Sequence, residues 1–274
     1  MKMIWKNARK MLAVTAIFGL VLTGCKKDDS LFDSECADDD NKVATIEDDN
    51  SLASDFLATE GLGGRTEGTE GNKFLGVATV TLDPIIRLFT IDFGTTNVVC
   101  TDGRNRRGKI YIKLELRRPE DLPYNGAYFF TYEDYFVNDN KVEGTRRERV
   151  MPLSVTSKQT EITVTNRKVT FTDGTTLLRN VNHVRVATKV TGGMEYATTG
   201  SASGTNRRGR NYTTTILTPI ISKTLCNNYL FPVKGTMNLG VNGDDTKFLL
   251  DFGDGSCDRT FVVSYNGKTR TITR

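Results

Sequence analysis

Histidine occurs once in these 274 residues, tryptophan once and proline six times. A lone histidine, His183, leaves a single imidazole for any Ser-His-Asp or Cys-His chemistry. The alternation in "HVRV" sets it beside Arg185 on the polar side of a strand, where it reads as a solvated residue. The five cysteines, at 25, 36, 100, 226 and 257, show none of the close spacing that zinc ligands take. Neither a metal nor another cofactor is expected. "NGDDTKFLLDFGDGSCD" lacks the EF-hand spacing, so Asp244, Asp245, Asp254 and Asp258 read as turn residues serving backbone amides. The longest uncharged, mostly apolar run is 12 residues, Met11 to Leu22, short of the roughly 20 that a membrane-spanning helix takes. After residue 74 no apolar stripe of period 3.6 occurs, which argues against a helical domain. Glu133 with Asp134, or Asp251 with Asp254, are the carboxylates left for glycosidase-type chemistry, and sequence does not fix their separation. No catalytic residue and no enzymatic activity are expected.

What is present begins with an address. Lys2, Lys6, Arg9 and Lys10 precede the apolar run, and Leu22-Thr23-Gly24-Cys25 follows it. A positive n-region and an h-region of this length are the parts of a secretory signal, and the last four residues resemble a bacterial lipobox. That resemblance implies that residues 1–24 are a signal peptide cut before Cys25, and that the Cys25 thiol carries lipid. Each buried acyl CH₂ is worth about 0.8 kcal/mol, so two or three chains anchor stably where one does not. Lys26-Lys27-Asp28-Asp29 resembles the export signal of Bacteroidota surface lipoproteins. It implies the outer face of the outer membrane, with the periplasmic face as the alternative. The partners that follow are outer-membrane lipid, through acylated Cys25, and the lipoprotein processing and export machinery.

Charge then divides the mature chain. Residues 26–73 hold 14 acidic and 5 basic residues, whereas residues 74–274 hold 19 acidic and 28 basic ones. So little apolar surface with so much like charge predicts a flexible acidic tether over 25–73. About 200 residues remain for one β-rich domain, 74–274, which is ample for a core.

The period in that domain is two. "KIYIKLEL" sets Ile110, Ile112, Leu114 and Leu116 against Tyr111, Lys113 and Glu115. "EITVTNRKVTF" repeats the pattern around an expected turn at Asn166-Arg167. "ATVTL", "YFFTY", "HVRVATKV", "YTTTIL", "KFLLDF" and "TFVVSY" are further strands. Six Asx-Gly pairs, at 102, 125, 173, 242, 254 and 266, punctuate them; such pairs favour positive φ and tight antiparallel hairpins. The predicted fold is all-β, an antiparallel hairpin meander forming an elongated sheet or two packed sheets.

Short stretches echo one another: "GRNRRGKIY" at 103 and "GTNRRGRNY" at 204, "VEGT" at 142 and "VKGT" at 233, "FTIDFG" at 89 and "FLLDFG" at 248. Their offsets differ, so a repeated strand-turn-strand unit is the inference rather than a duplicated domain. With "DFGDGSCD" near the end, the order of these motifs resembles a family of uncharacterised Bacteroidota lipoproteins. The resemblance implies an outer-membrane or surface lipoprotein with a β-rich domain, and it lends no catalytic residues.

Basic pairs recur near expected hairpin ends: Arg106 and Arg107, Arg146 and Arg147, Arg207 and Arg208 with Arg210. Guanidinium forks match phosphate, sulfate and carboxylate, which makes these residues candidate contacts for an anionic polysaccharide and not for nucleic acid. They also guard sheet edges against pairing. The expected role is structural or binding. The alternative is a glycan- or polyanion-binding accessory of a polysaccharide uptake system, which an exposed ledge built from Tyr128, Tyr132 and Tyr135 would favour. Export into an oxidising compartment predicts a disulfide between Cys226 and Cys257, which flank one strand and its hairpin partner. Closing a loop of about 30 residues is worth roughly 3–4 kcal/mol.

Overall fold

The computed structural model describes residues 39, 42–43, 46–47, 49–50, 53–54, 78–100, 102–116, 123–226 and 232–273. The signal peptide, Cys25, the Lys26–Asp29 export signal, Cys36 and residues 55–77 lie outside them.

Fourteen strands form one open antiparallel sheet: β1 (Thr79–Asp83), β2 (Leu88–Asp92), β3 (Val98–Val99), β4 (Asn105–Leu116), β5 (Gly126–Val137), β6 (Asn140–Pro152), β7 (Ser157–Thr170), β8 (Thr176–Val190), β9 (Gly193–Thr205), β10 (Asn211–Lys223), β11 (Pro232–Val241), β12 (Asp244–Asp254), β13 (Thr260–Tyr265) and β14 (Lys268–Thr273). Each strand pairs with its sequence neighbour except at β3, a short strand that pairs with β4 beside β2. The all-β meander is therefore the fold, and of the two architectures expected it is the single sheet.

Strand phase is kept by bulges. Asn166-Arg167 is not a turn: β7 runs through it, and Asn166 takes φ 51° opposite Gly144. The extra residue shifts the alternation by one, so Ile162, Val164, Arg167 and Val169 all end on the buried face. The DFG echo is structural. In both copies the aspartate Oδ1 accepts from the glycine N–H, 2.8 Å at Asp92–Gly94 and 2.9 Å at Asp251–Gly253, and the phenylalanine between them is buried. The "NRRG" echo is not: Gly108 sits within β4 and Gly209 in the β9–β10 turn.

The buried face carries two large apolar clusters. One gathers Phe89, Ile91, Ile110, Ile112, Phe130 and Tyr135 from the early strands with Val43, Ile46 and Ala53. The other gathers Leu239, Phe248, Leu250, Phe261 and Val263 from the late ones.

Those three early residues lie within the expected tether, and at the described positions around them the chain is not a solvated spacer. All nine described positions from 39 to 54 are helical, and every one but Lys42 is buried. Val43, Ile46, Glu47, Asn50, Ala53 and Ser54 fall three or four apart, as one face of a helix must. Averaged over 48 residues the acidic composition hid this face. Its carboxylates are not solvated; they meet arginines of the sheet.

Candidate functional site

The inner face holds a network of buried ions. Asp49 accepts from Arg104 Nη1 at 2.7 Å and from Arg106 Nε and Nη2 at 3.3 and 3.0 Å. Arg106, fully buried, also donates to Asp102 at 2.8 and 2.6 Å. Glu47 lies between two buried arginines, 3.3 Å from Arg146 and 3.2 Å from Arg167. Arg146 pairs in addition with Glu148 at 2.7 Å. Arg167 Nη2 donates to the Tyr132 hydroxyl at 2.9 Å, and that hydroxyl donates to Asn50 at 2.9 Å. Asp39 reaches Arg207 at 3.4 Å, and Arg207 also pairs with Asp173.

Burial and charge compete in this network. Burial raises the Asp49 carboxyl above its usual range despite Arg106 and Arg104. At Asp102 burial acts in the same direction, but the Arg106 hydrogen bond and charge prevail and hold it below that range. Burial works against the Arg106 charge, yet Asp49 and Asp102 raise its pKa well above the ordinary value.

This geometry corrects the polyanion assignment of Arg106 and Arg146. Both are within 2 % of full burial and lie under the acidic helix, so no external polymer reaches them. Arg207 is occupied by Asp39 and Asp173 and lies over the Phe171 ring. Arg107 pairs with Asp139 and covers Phe136, its guanidinium carbon 3.7 Å from the ring centre. Arg208 is exposed and Arg210 half-buried at the β9–β10 turn. Arg147 lines a cleft.

Other assignments also move. Tyr128, Tyr132 and Tyr135 do not form a ledge: they belong to the inner cluster, with Tyr135 1 % exposed. His183 is half-buried, in the inward row with Val181 and Arg179. Burial, then Arg179, Arg185 and Arg146, depress its pKa well below that of free imidazole. Glu133 accepts from the Tyr111 hydroxyl at 2.7 Å, and Asp134 pairs with Lys141 at 3.3 Å. Asp244 and Asp254 stand at opposite ends of β12, and Asp254 and Asp258 accept from Ser256 and Thr260 amides. Cys226 and Cys257 are joined, with Cα atoms 5.3 Å apart. Cys100 is a buried free thiol.

The cleft lies on the other face of the sheet, near the ends of β4, β5 and β6. It holds about 440 Å³ and is lined by Glu115, Leu116, Tyr124, Gly126, Ala127, Arg147 and Arg149. Gly126 and Ala127, the smallest residues of the lining, make its floor on β5. Arg147 crosses that floor, its Nε and Nη2 donating to Glu115 Oε2 at 3.1 and 2.9 Å. Arg149, two residues on, donates through the same two nitrogens to Glu161 Oε2 at 3.1 and 2.6 Å. Its guanidinium carbon is 4.0 Å from the Tyr124 ring centre, and the Tyr124 hydroxyl donates to Glu161 Oε1. Burial tends to raise the Glu161 carboxyl, and the bonds from Tyr124 and Arg149 outweigh it, holding it low. Sequence pairing of adjacent arginines pointed to Arg146-Arg147 as a unit. A strand sends those two to opposite faces, and the unit that forms is Arg147 with Arg149.

No known protein family matches the chain, no curated protein is similar to it, and no solved structure matches it.

Proposed function

We propose that the chain is a lipid-anchored outer-membrane or cell-surface lipoprotein with a structural or binding role and no catalytic step. The observation that carries this reading is Leu22-Thr23-Gly24-Cys25 closing a 12-residue apolar run behind four positive charges. The outer-face cleft favours a binding role over a purely structural one.

Replacing Cys25 by Ser tests the anchor: the variant should remain a precursor that takes no acyl label. Continued incorporation of palmitate would sink the lipobox reading. Proteolysis of intact cells tests the side. The domain should be shaved from the surface and protected when Asp28 and Asp29 are changed to Ala; protection of the unmodified protein places it in the periplasm.

A further inference from the structure

The geometry points to a site for a neutral glycan in the outer-face cleft, an inference that rests on the binding reading above and gives it a ligand class. The opening holds about 440 Å³ and its lining is mostly polar. Arg147 and Arg149 each spend Nε and Nη2 on a carboxylate. Each is thereby held in one orientation; Arg149 is engaged by Tyr124 as well, whereas no bond is seen from Arg147 Nη1 among the described residues. Glu115 Oε1 likewise has none, because both bonds from Arg147 fall on Oε2. One fixed donor and one acceptor thus belong to the same opening. Vicinal hydroxyls of a pyranose suit that set: one accepts from a guanidinium while its neighbour donates to the carboxylate. Tyr124 holds Arg149 from one side.

Charge selects among sugars. Among the described residues of the cleft, Arg147 and Arg149 are balanced by Glu115 and Glu161. Binding should therefore follow hydroxyl geometry and change little with salt, unlike the polyanion reading, in which screening weakens attraction steeply.

Affinity electrophoresis of the full chain in detergent, through gels containing mannan, dextran, xylan or galactan, tests this, with polygalacturonate as the anionic probe. At least one neutral polymer should retard the protein equally at low and high salt. Arg147→Met and Glu115→Gln should each weaken that retardation about ten- to a hundredfold, the range for hydrogen bonds to charged groups. Both side chains are more than a third exposed, so thermal melting should confirm that the variants fold. Arg107→Met, on a different pair, should leave binding unchanged. Failure of every neutral polymer, or retardation that survives both cleft variants, overturns the proposal. Retardation by polygalacturonate alone, lost in salt, overturns it in favour of a charge-driven surface. The Cys25→Ser chain should bind the same polymer while taking no acyl label, so loss of the anchor and loss of the glycan site are read separately.

Discussion

The early and late strands of this sheet solve one problem by different means. β1 to β7 share their apolar cluster with helical residues between positions 39 and 54 and bury Arg106, Arg146 and Arg167 against Glu47 and Asp49. Among the described residues, the cluster of β10 to β13 includes none of those helical positions, and the disulfide ties the connections on either side of β11 and β12. A buried ion pair gives up hydration for each charge, so its net contribution to stability is small, but removing one partner strands the other. An apolar row has no such fragility; its cost scales with the volume removed. The early half is therefore the one whose described core depends on a distant segment arriving.

Glu47→Ala should break this comparison hardest. It removes the carboxylate that Arg146 and Arg167 share, and losing one partner of a buried pair costs about 3–5 kcal/mol. Urea denaturation measures the loss, and hydrogen exchange should locate it in β4 to β7. Equal loss of protection in β11 to β13 would show that the two halves unfold as one unit. Next in size is the late half's own tie. Changing Cys226 and Cys257 together to Ser opens a loop of 31 residues, worth about 3–4 kcal/mol on the chain-entropy estimate. Early faster exchange should appear in β11 to β13 and leave the helix side unmoved.

The "VEGT" and "VKGT" echo offers a matched pair across the halves. Gly144 and Gly235 take φ of 107° and 108°. A Cβ on either would lie 2.5 Å from the Asn166 carbonyl oxygen or 2.3 Å from that of Pro219. Alanine at each should cost about 1–3 kcal/mol, as forced backbone strain does. Similar losses would establish the two bulges as equivalent; a much smaller loss at one would show that its partner strand can retreat.

The meander was legible because period-two alternation is a local signal that every strand repeats. Asn242-Gly243 and Asn266-Gly267 do form tight turns with both residues at positive φ. Asn138-Asp139 does the same without glycine, which the pair rule passes over. The docked helix was illegible for a different reason. Three apolar residues spaced within an acidic segment cannot hold a helix alone, and the arginines that neutralise Glu47 lie about 100 and 120 residues away. The cleft escaped notice because its residues come from separate strands. Its signal was Arg147 and Arg149 two apart, on one face, with Glu115 and Glu161 at matching positions nearby in the sheet.

The smallest effect concerns His183, the one imidazole in the chain. It belongs to the inward row of β8, between Ile162 on β7 and Gly200 on β9, in the field of Arg146, Arg179 and Arg185. Folded, it stays neutral well below its ordinary value; unfolded, it binds a proton near pH 6.5. Below that pH the unfolded chain holds the extra proton, so stability is present above about 6.5 and is lost as pH falls, by up to about 1.4 kcal/mol per pH unit. Asp102 and Glu161, held low, lose their contributions only in stronger acid. Asp49, held high, acts with the opposite sign, gaining as pH falls. The difference between the wild type and His183→Gln removes these shared terms. Urea midpoints should diverge as pH drops from 7 to 5, with the wild type losing more. Parallel midpoints would mean that His183 protonates in the folded sheet, and that the central strands admit charge as readily as the helix-covered ones.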